Sequence, residues 1–172
     1  PLALGLIGLI QFAPQFFLIL PAGVLADKYN RKYLLIICNL IQVFVSAFLL
    51  YYSIYYIDTG SIIPIYLILI LHGIAMSLEG PSSFAVLPNL VDKKIFPRAV
   101  SYVNFFDEFG ALFGPIIAGL LIAYIDKWVY AVALISFMIS TLSAISLPNL
   151  KNEFKEIERV TLKVLLSGFV YV

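Results

Sequence analysis

The stretch Gly23-Val24-Leu25-Ala26-Asp27-Lys28-Tyr29-Asn30-Arg31-Lys32 decides the fold. It sets four charged residues between two apolar runs, Leu4 to Ala26 and Tyr33 to Ile54, neither of which contains a charge. A helix of about 20 apolar residues crosses a hydrocarbon core of about 30 Å, and both runs reach that length. A short basic turn between two such helices fixes their orientation, because Lys and Arg in short loops stay on the cytoplasmic side.

The rest of the chain extends this reading. It has 172 residues, 62% of them hydrophobic and 12% charged, with a mean hydropathy of +1.02. Soluble domains are about 45–50% apolar and about 25% charged. The composition therefore predicts an integral membrane protein, all-α, built as a polytopic helical bundle over residues 1–150. Five spans are expected, at about 4–26, 32–56, 62–86, 98–124 and 129–147. Their short connections imply antiparallel neighbours. Residues 151–172 open polar and turn apolar from Val160, as expected of a cytoplasmic linker or a surface amphipathic helix. The chain starts at Pro1 inside an apolar approach and stops inside another apolar run, so it reads as a piece of a longer protein.

Sidedness follows from the basic residues. Lys28, Arg31, Lys32, Lys93, Lys94, Arg98, Lys151, Lys155, Arg159 and Lys163 fall on one side, which is ten of the eleven; only Lys127 lies opposite. Tyr51, Tyr52, Tyr55, Tyr56, Tyr66, Tyr124, Trp128 and Tyr130 gather at the other ends of the spans, where amphipathic rings favour the interface. The first span then begins outside, and one further helix upstream would bring the start back to the cytoplasm.

Ionisable groups inside spans are costly and mark function. Four are expected there: His72, Glu79, Asp107 and Glu108. Asp107 and Glu108 lie about 14 Å of helix rise beyond Arg98, near mid-membrane. A carboxyl group deprived of water can take up and release a proton near neutral pH. Proton coupling, contact with a cationic substrate, or a hydrogen bond to a neighbouring helix are all compatible with the pair. His72 and Glu79 are seven residues apart and share a helix face; a polar contact between helices or a coupling role fits them. Gln11 with Gln15, and Asn39 with Gln42, read as hydrogen-bonding glue between helices. Cys38, alone in an apolar run, behaves as a small hydrophobe.

Gly110-Ala111-Leu112-Phe113-Gly114-Pro115-Ile116-Ile117-Ala118-Gly119 is the second strong pattern. Gly110, Gly114 and Ala118 form a small-residue stripe, with Ala111, Pro115 and Gly119 beside it. Small residues admit a close partner helix, and Pro115 removes a backbone donor and is expected to kink its helix. No catalytic or metal-ligating set is present, and the basic residues are too scattered among membrane-flanking turns for a nucleic-acid surface.

At these two patterns the chain resembles the major facilitator superfamily. Gly23, Asp27, Lys28, Asn30, Arg31 and Lys32 resemble its signature loop, G-x-x-x-D-(R/K)-x-G-R-(R/K). Asn30 stands where glycine is usual, and asparagine tolerates positive φ better than most residues. Gly110, Gly114, Pro115, Ala118 and Gly119 resemble the exporter-type motif G-x-x-x-G-P-x-x-G-G, with Ala118 for one glycine. Glu79-Gly80-Pro81-Ser82-Ser83-Phe84-Ala85-Val86-Leu87-Pro88, then Arg98-Ala99, is similar to the drug-efflux and enterobactin-exporter-like branch, in which such a run closes the helix.

The resemblance implies that the five spans are helices 2 to 6 of twelve, with helix 1 and the C-terminal half outside this chain. It implies a secondary-active transporter in a bacterial inner membrane that exports a drug-like or siderophore-like solute by alternating access. It would use no cofactor and draw on the proton gradient; its partners would be the bilayer, the solute and its own remaining half. Asp27, at a helix C-terminus where a carboxylate opposes the macrodipole, would close a cytoplasmic gate with positive groups of the other half. A lysophospholipid flippase of the same branch and a fragment without transport activity are alternatives. A membrane enzyme would need clustered acids or histidines at a membrane face, which are absent.

Overall fold

A computed structural model describes residues 2–56 and 61–148. Expectations for residues 57–60 and for the segment 151–172 lie outside the described residues. Five α-helices run in chain order: α1 over Leu2–Lys28, α2 over Arg31–Tyr55, α3 over Ile63–Leu90, α4 over Phe96–Ile125 and α5 over Val129–Ser146. A 3-10 turn, Asp126–Trp128, joins the last two. Among the described residues, Arg31–Tyr55, Ile63–Leu90 and the continuous stretch Phe96–Ser146 are long and apolar enough to cross a membrane; α1 contributes a shorter apolar stretch, Gly5–Leu18.

The packing centres on α2 and α3. Helix α1 lies along α3, and α2 packs against both α3 and α5, whereas α4 touches α3 and α5 at few residues and none of its residues is buried. The buried set mixes aliphatic side chains (Leu34, Leu35, Val45, Ile68 and Val86) with many small or polar ones: Ala22, Cys38, Ala75 and Ala144 beside Asn39, Gln42, Ser46, Ser53, Ser77, Ser82 and Thr141. Lipid tails are as apolar as leucine, so no hydrophobic force drives helices together in a bilayer; small side chains that let backbones approach do so instead. Ser77, Ser82 and Thr141 donate to their own helices, at Ile74 O, Leu78 O and Phe137 O, each 2.7 Å away. Their hydroxyls can therefore face a neighbouring helix without an unmet donor.

The closest approach is at Gly73. A Cβ added there would lie 2.5 Å from the Gln11 carbonyl oxygen and 3.3 Å from Pro14 Cγ. Only glycine lets α1 rest on α3 at this depth.

Two expectations are corrected. The third helix does not end at Val86: it continues through Pro81 and Pro88 to Leu90. Pro115 lies inside α4. A single proline removes one backbone donor, and helices within membranes tolerate this where other donors meet the freed carbonyls. The carbonyl that Pro88 frees is that of Phe84; one residue on, the Arg31 and Asn89 side chains both donate to Ala85 O. Asn30 does not adopt positive φ. It sits at φ −65°, ψ 115° as the N-cap of α2, its Oδ1 accepting from Lys32 N at 3.0 Å. That is the capping role asparagine fills well. The one non-glycine residue with positive φ among those described is Asp126, at φ 48°, ψ −129°, where α4 ends.

At the far end, Tyr51 meets Tyr55 at a tilt (5.0 Å between centroids) and Tyr52 stacks near Tyr56 (5.7 Å). The Tyr52 hydroxyl donates to Ser61 O, tying the end of α2 to the approach of α3. This is the aromatic end that the tyrosine clustering predicts.

Candidate functional site

At the basic end, Arg31 and Lys32 open α2 and face the wrong way for their own helix, since an N-terminus disfavours positive charge. Each is committed elsewhere. Arg31 Nη1 donates to Ala85 O of α3 at 2.7 Å. Lys32 Nζ donates to Leu147 O, at the C-cap of α5, at 2.5 Å. Leu147 O, at the C-cap of α5, is a carbonyl without an intrahelical donor at a helix end that favours cations, whereas Ala85 O lies one turn inside α3. Beneath them Leu35 of α2 packs on Val86 of α3, with Leu147 against the pair. The turn therefore pins three helix ends with two cations and an apolar plug. Asp27 and Lys28 lie in the last turn of α1; their side chains, and with them the gate expected at Asp27, lie outside the described set.

Deeper in the bundle the structure brings together residues that the sequence leaves on separate helices. Gln42 of α2 is fully buried. Its Oε1 lies 2.6 Å from His72 Nδ1 of α3. An amide oxygen can only accept, so Nδ1 carries the imidazole proton. The Glu79 carboxylate, also on α3, faces Cys38 and Gln42 of α2 within electrostatic reach. Gln42 Nε2 and Asn39 Oδ1 have no hydrogen-bond partner at full bonding distance. Such orphans are uncommon in buried sites and often mark function. Asn39 donates from Nδ2 to Leu35 O of its own helix at 2.9 Å, so of the expected Asn39–Gln42 glue only Gln42 reaches across. Gln11 meets α3 through its backbone, at Gly73.

Asp107 and Glu108 stand on α4, and both are exposed. A Cβ added at Gly110, Gly114 or Gly119 would meet nothing within 4 Å. The motif's small-residue stripe thus has no partner among the described residues. An open groove of about 520 Å³ runs along the first turns of this helix, lined by Arg98, Ser101, Tyr102 and Phe105. It pairs a guanidinium with two aromatic rings, a chemistry suited to anionic or ring-bearing solutes. No cluster of metal-ligating side chains occurs among the described residues.

Comparison with known proteins joins these features. The family model described as Major Facilitator Superfamily matches residues 1–169. The Staphyloferrin A transporter of Staphylococcus aureus is 34% identical over 125 residues, 70% of this chain and 30% of that protein. The Enterobactin exporter EntS of Escherichia coli O1:K1 is 29% identical over 165 residues, 92% of this chain and 38% of the exporter, as is that of Shigella boydii serotype 18. The chain thus spans about a third of the length of these curated relatives. No solved structure matches significantly. These relatives are transporters rather than enzymes, and the apolar helices make the chain an integral membrane protein. With the signature turn pinning three helices and a match along nearly its whole length, the chain belongs to the Major Facilitator Superfamily, in its enterobactin-exporter-like branch.

Proposed function

We propose that this chain contributes to a secondary-active transporter that exports a siderophore-like small solute across a bacterial inner membrane by proton antiport and alternating access. The similarity to the enterobactin exporter along 92% of the chain carries this reading. Because the chain spans only part of such relatives, the working transporter would include further helices beside α4, completing the small-residue motif and the gate at Asp27. The pinned basic end supports the reading: alternating access needs each half to move as a rigid unit, and Arg31 and Lys32 bind α2, α3 and α5 into one.

Everted vesicles containing the full-length protein test it. They should accumulate labelled enterobactin or staphyloferrin A when their interior is acidified, and lose that accumulation on addition of a protonophore. Uptake of neither compound would overturn the siderophore reading, and uptake indifferent to the protonophore would overturn the antiport. Asp107→Asn or Glu108→Gln should bring uptake to background in at least one variant; normal proton-driven uptake in both removes α4 from the coupling step. Asp27→Asn should leave the protein folded, by thermal stability in detergent, yet transport-impaired. Unchanged transport in that variant speaks against gating.

A further inference from the structure

Gln42 is the one residue in the buried interface whose two polar ends face two different ionisable groups. Its carbonyl takes the proton of His72 at 2.6 Å, and its amide nitrogen, short of a full hydrogen bond, is within reach of the Glu79 carboxylate. His72 and Glu79 are about 10 Å apart along α3 by helix rise, and Gln42 is the α2 side chain that bonds His72 and interacts with Glu79. We propose that Glu79, Gln42 and His72 form one proton-carrying couple, in which the amide transmits the charge state of the carboxyl to the imidazole across the α2–α3 interface. The inference rests on the proton-antiport reading and gives it a location apart from α4.

The physical argument concerns net charge. When Glu79 is ionised, the Gln42 N–H donates to it, and the polarised amide becomes a better acceptor for a protonated His72. When Glu79 is protonated, that pull is lost and neutral imidazole suffices. Both arrangements hold one proton between the two groups and have no net charge. Adding a proton or removing one leaves a single uncompensated charge on a half-buried pair, which is costly wherever lipid or a partner helix rather than water covers it. The couple therefore exchanges its proton only when water reaches it, and an access change would supply that water. Uptake adds one proton from the aqueous side and release returns it, with no other bond made or broken.

Few other charges compete. From α2, Cys38 is the titratable group facing Glu79. From α1, the stretch Gly5–Leu18, which includes the contact with Gly73, has no ionisable residue. From α4, Asp107 and Glu108 are exposed.

The test is a pH titration of the full-length protein in nanodiscs, followed by infrared difference spectroscopy of protonated carboxyl groups. Glu79→Gln should remove one titrating carboxyl band. Gln42→Met, apolar and similar in length, should keep that band but move its midpoint by about one pH unit or more, a tenfold change in proton affinity. His72→Gln should move it too, and serves as the reading if Gln42→Met fails to fold. A band that survives Glu79→Gln, or a midpoint unmoved by both other variants, overturns the couple. The vesicle assay separates the two readings. Proton-driven uptake that is unchanged in Glu79→Gln removes the couple and leaves the antiport standing. Uptake indifferent to a protonophore removes the antiport, while the titration still decides the couple.

Discussion

Gly73→Leu should separate α1 from α3 and leave the protein unable to reach its native assembly. The position has no room even for a methyl group: an added Cβ would lie 2.5 Å from a backbone oxygen, at Gln11. A backbone atom cannot swing aside as the tip of a side chain does, so the whole of α1 must shift. Overpacking of this kind costs about 1–3 kcal/mol and at times more. Gly73→Ala should cost less, because it adds one methyl group rather than a four-carbon side chain at the contact. Thermal unfolding of the full-length protein in detergent checks the series, with Gly80→Ala as control. Gly80 lies on the same helix with nothing within 4 Å of an added Cβ. A Gly73→Leu protein as stable as the wild type would mean that α1 and α3 do not meet here.

Arg31→Ala should be the second large effect, this time at the basic end. A hydrogen bond from a charged donor contributes about 1.5–3 kcal/mol, and the variant loses the bond to Ala85 O. It also leaves that carbonyl with fewer donors just before Pro88. Lys32→Ala should weaken the end of α5 by the same logic at Leu147 O. The two losses should not add, because both clamps close over Leu35 and neighbouring sites couple. Melting temperatures of the single and double variants measure this. Strict additivity would show the two clamps to be independent.

Much of this architecture was legible as alternation between apolar runs and charged turns. Helix α2 begins at Arg31, inside the charged turn, and α5 begins at Val129, two residues after Lys127. The far end of α3 was not legible. Pro88 reads as a terminator, yet α3 runs two residues past it to Leu90. Asn30 reads as a stand-in for glycine in the family pattern, although as the N-cap it needs no positive φ. The family pattern was legible at both motifs, and the structure adds what Arg31 and Lys32 hold. The link of Gln42 to His72 was the hardest to foresee. Periodicity says which residues share a helix face, but only the rotation and depth of two packed helices say which of them meet.

The backbone of Asp126 has a consequence larger than its size. Residues 96–146 form a nearly continuous helical stretch of 51 residues, which as one straight rod would measure about 76 Å, more than twice a hydrocarbon core. Asp126 departs from helical geometry, at φ 48° and ψ −129°, a region that a residue with a side chain enters at a cost of about 1–3 kcal/mol. That single reversal makes the stretch a hairpin and returns Leu147 to Lys32. Two helices, α4 and α5, thereby stand where one over-long rod would not fit a bilayer, and the sidedness expected from the basic residues counts them as two crossings.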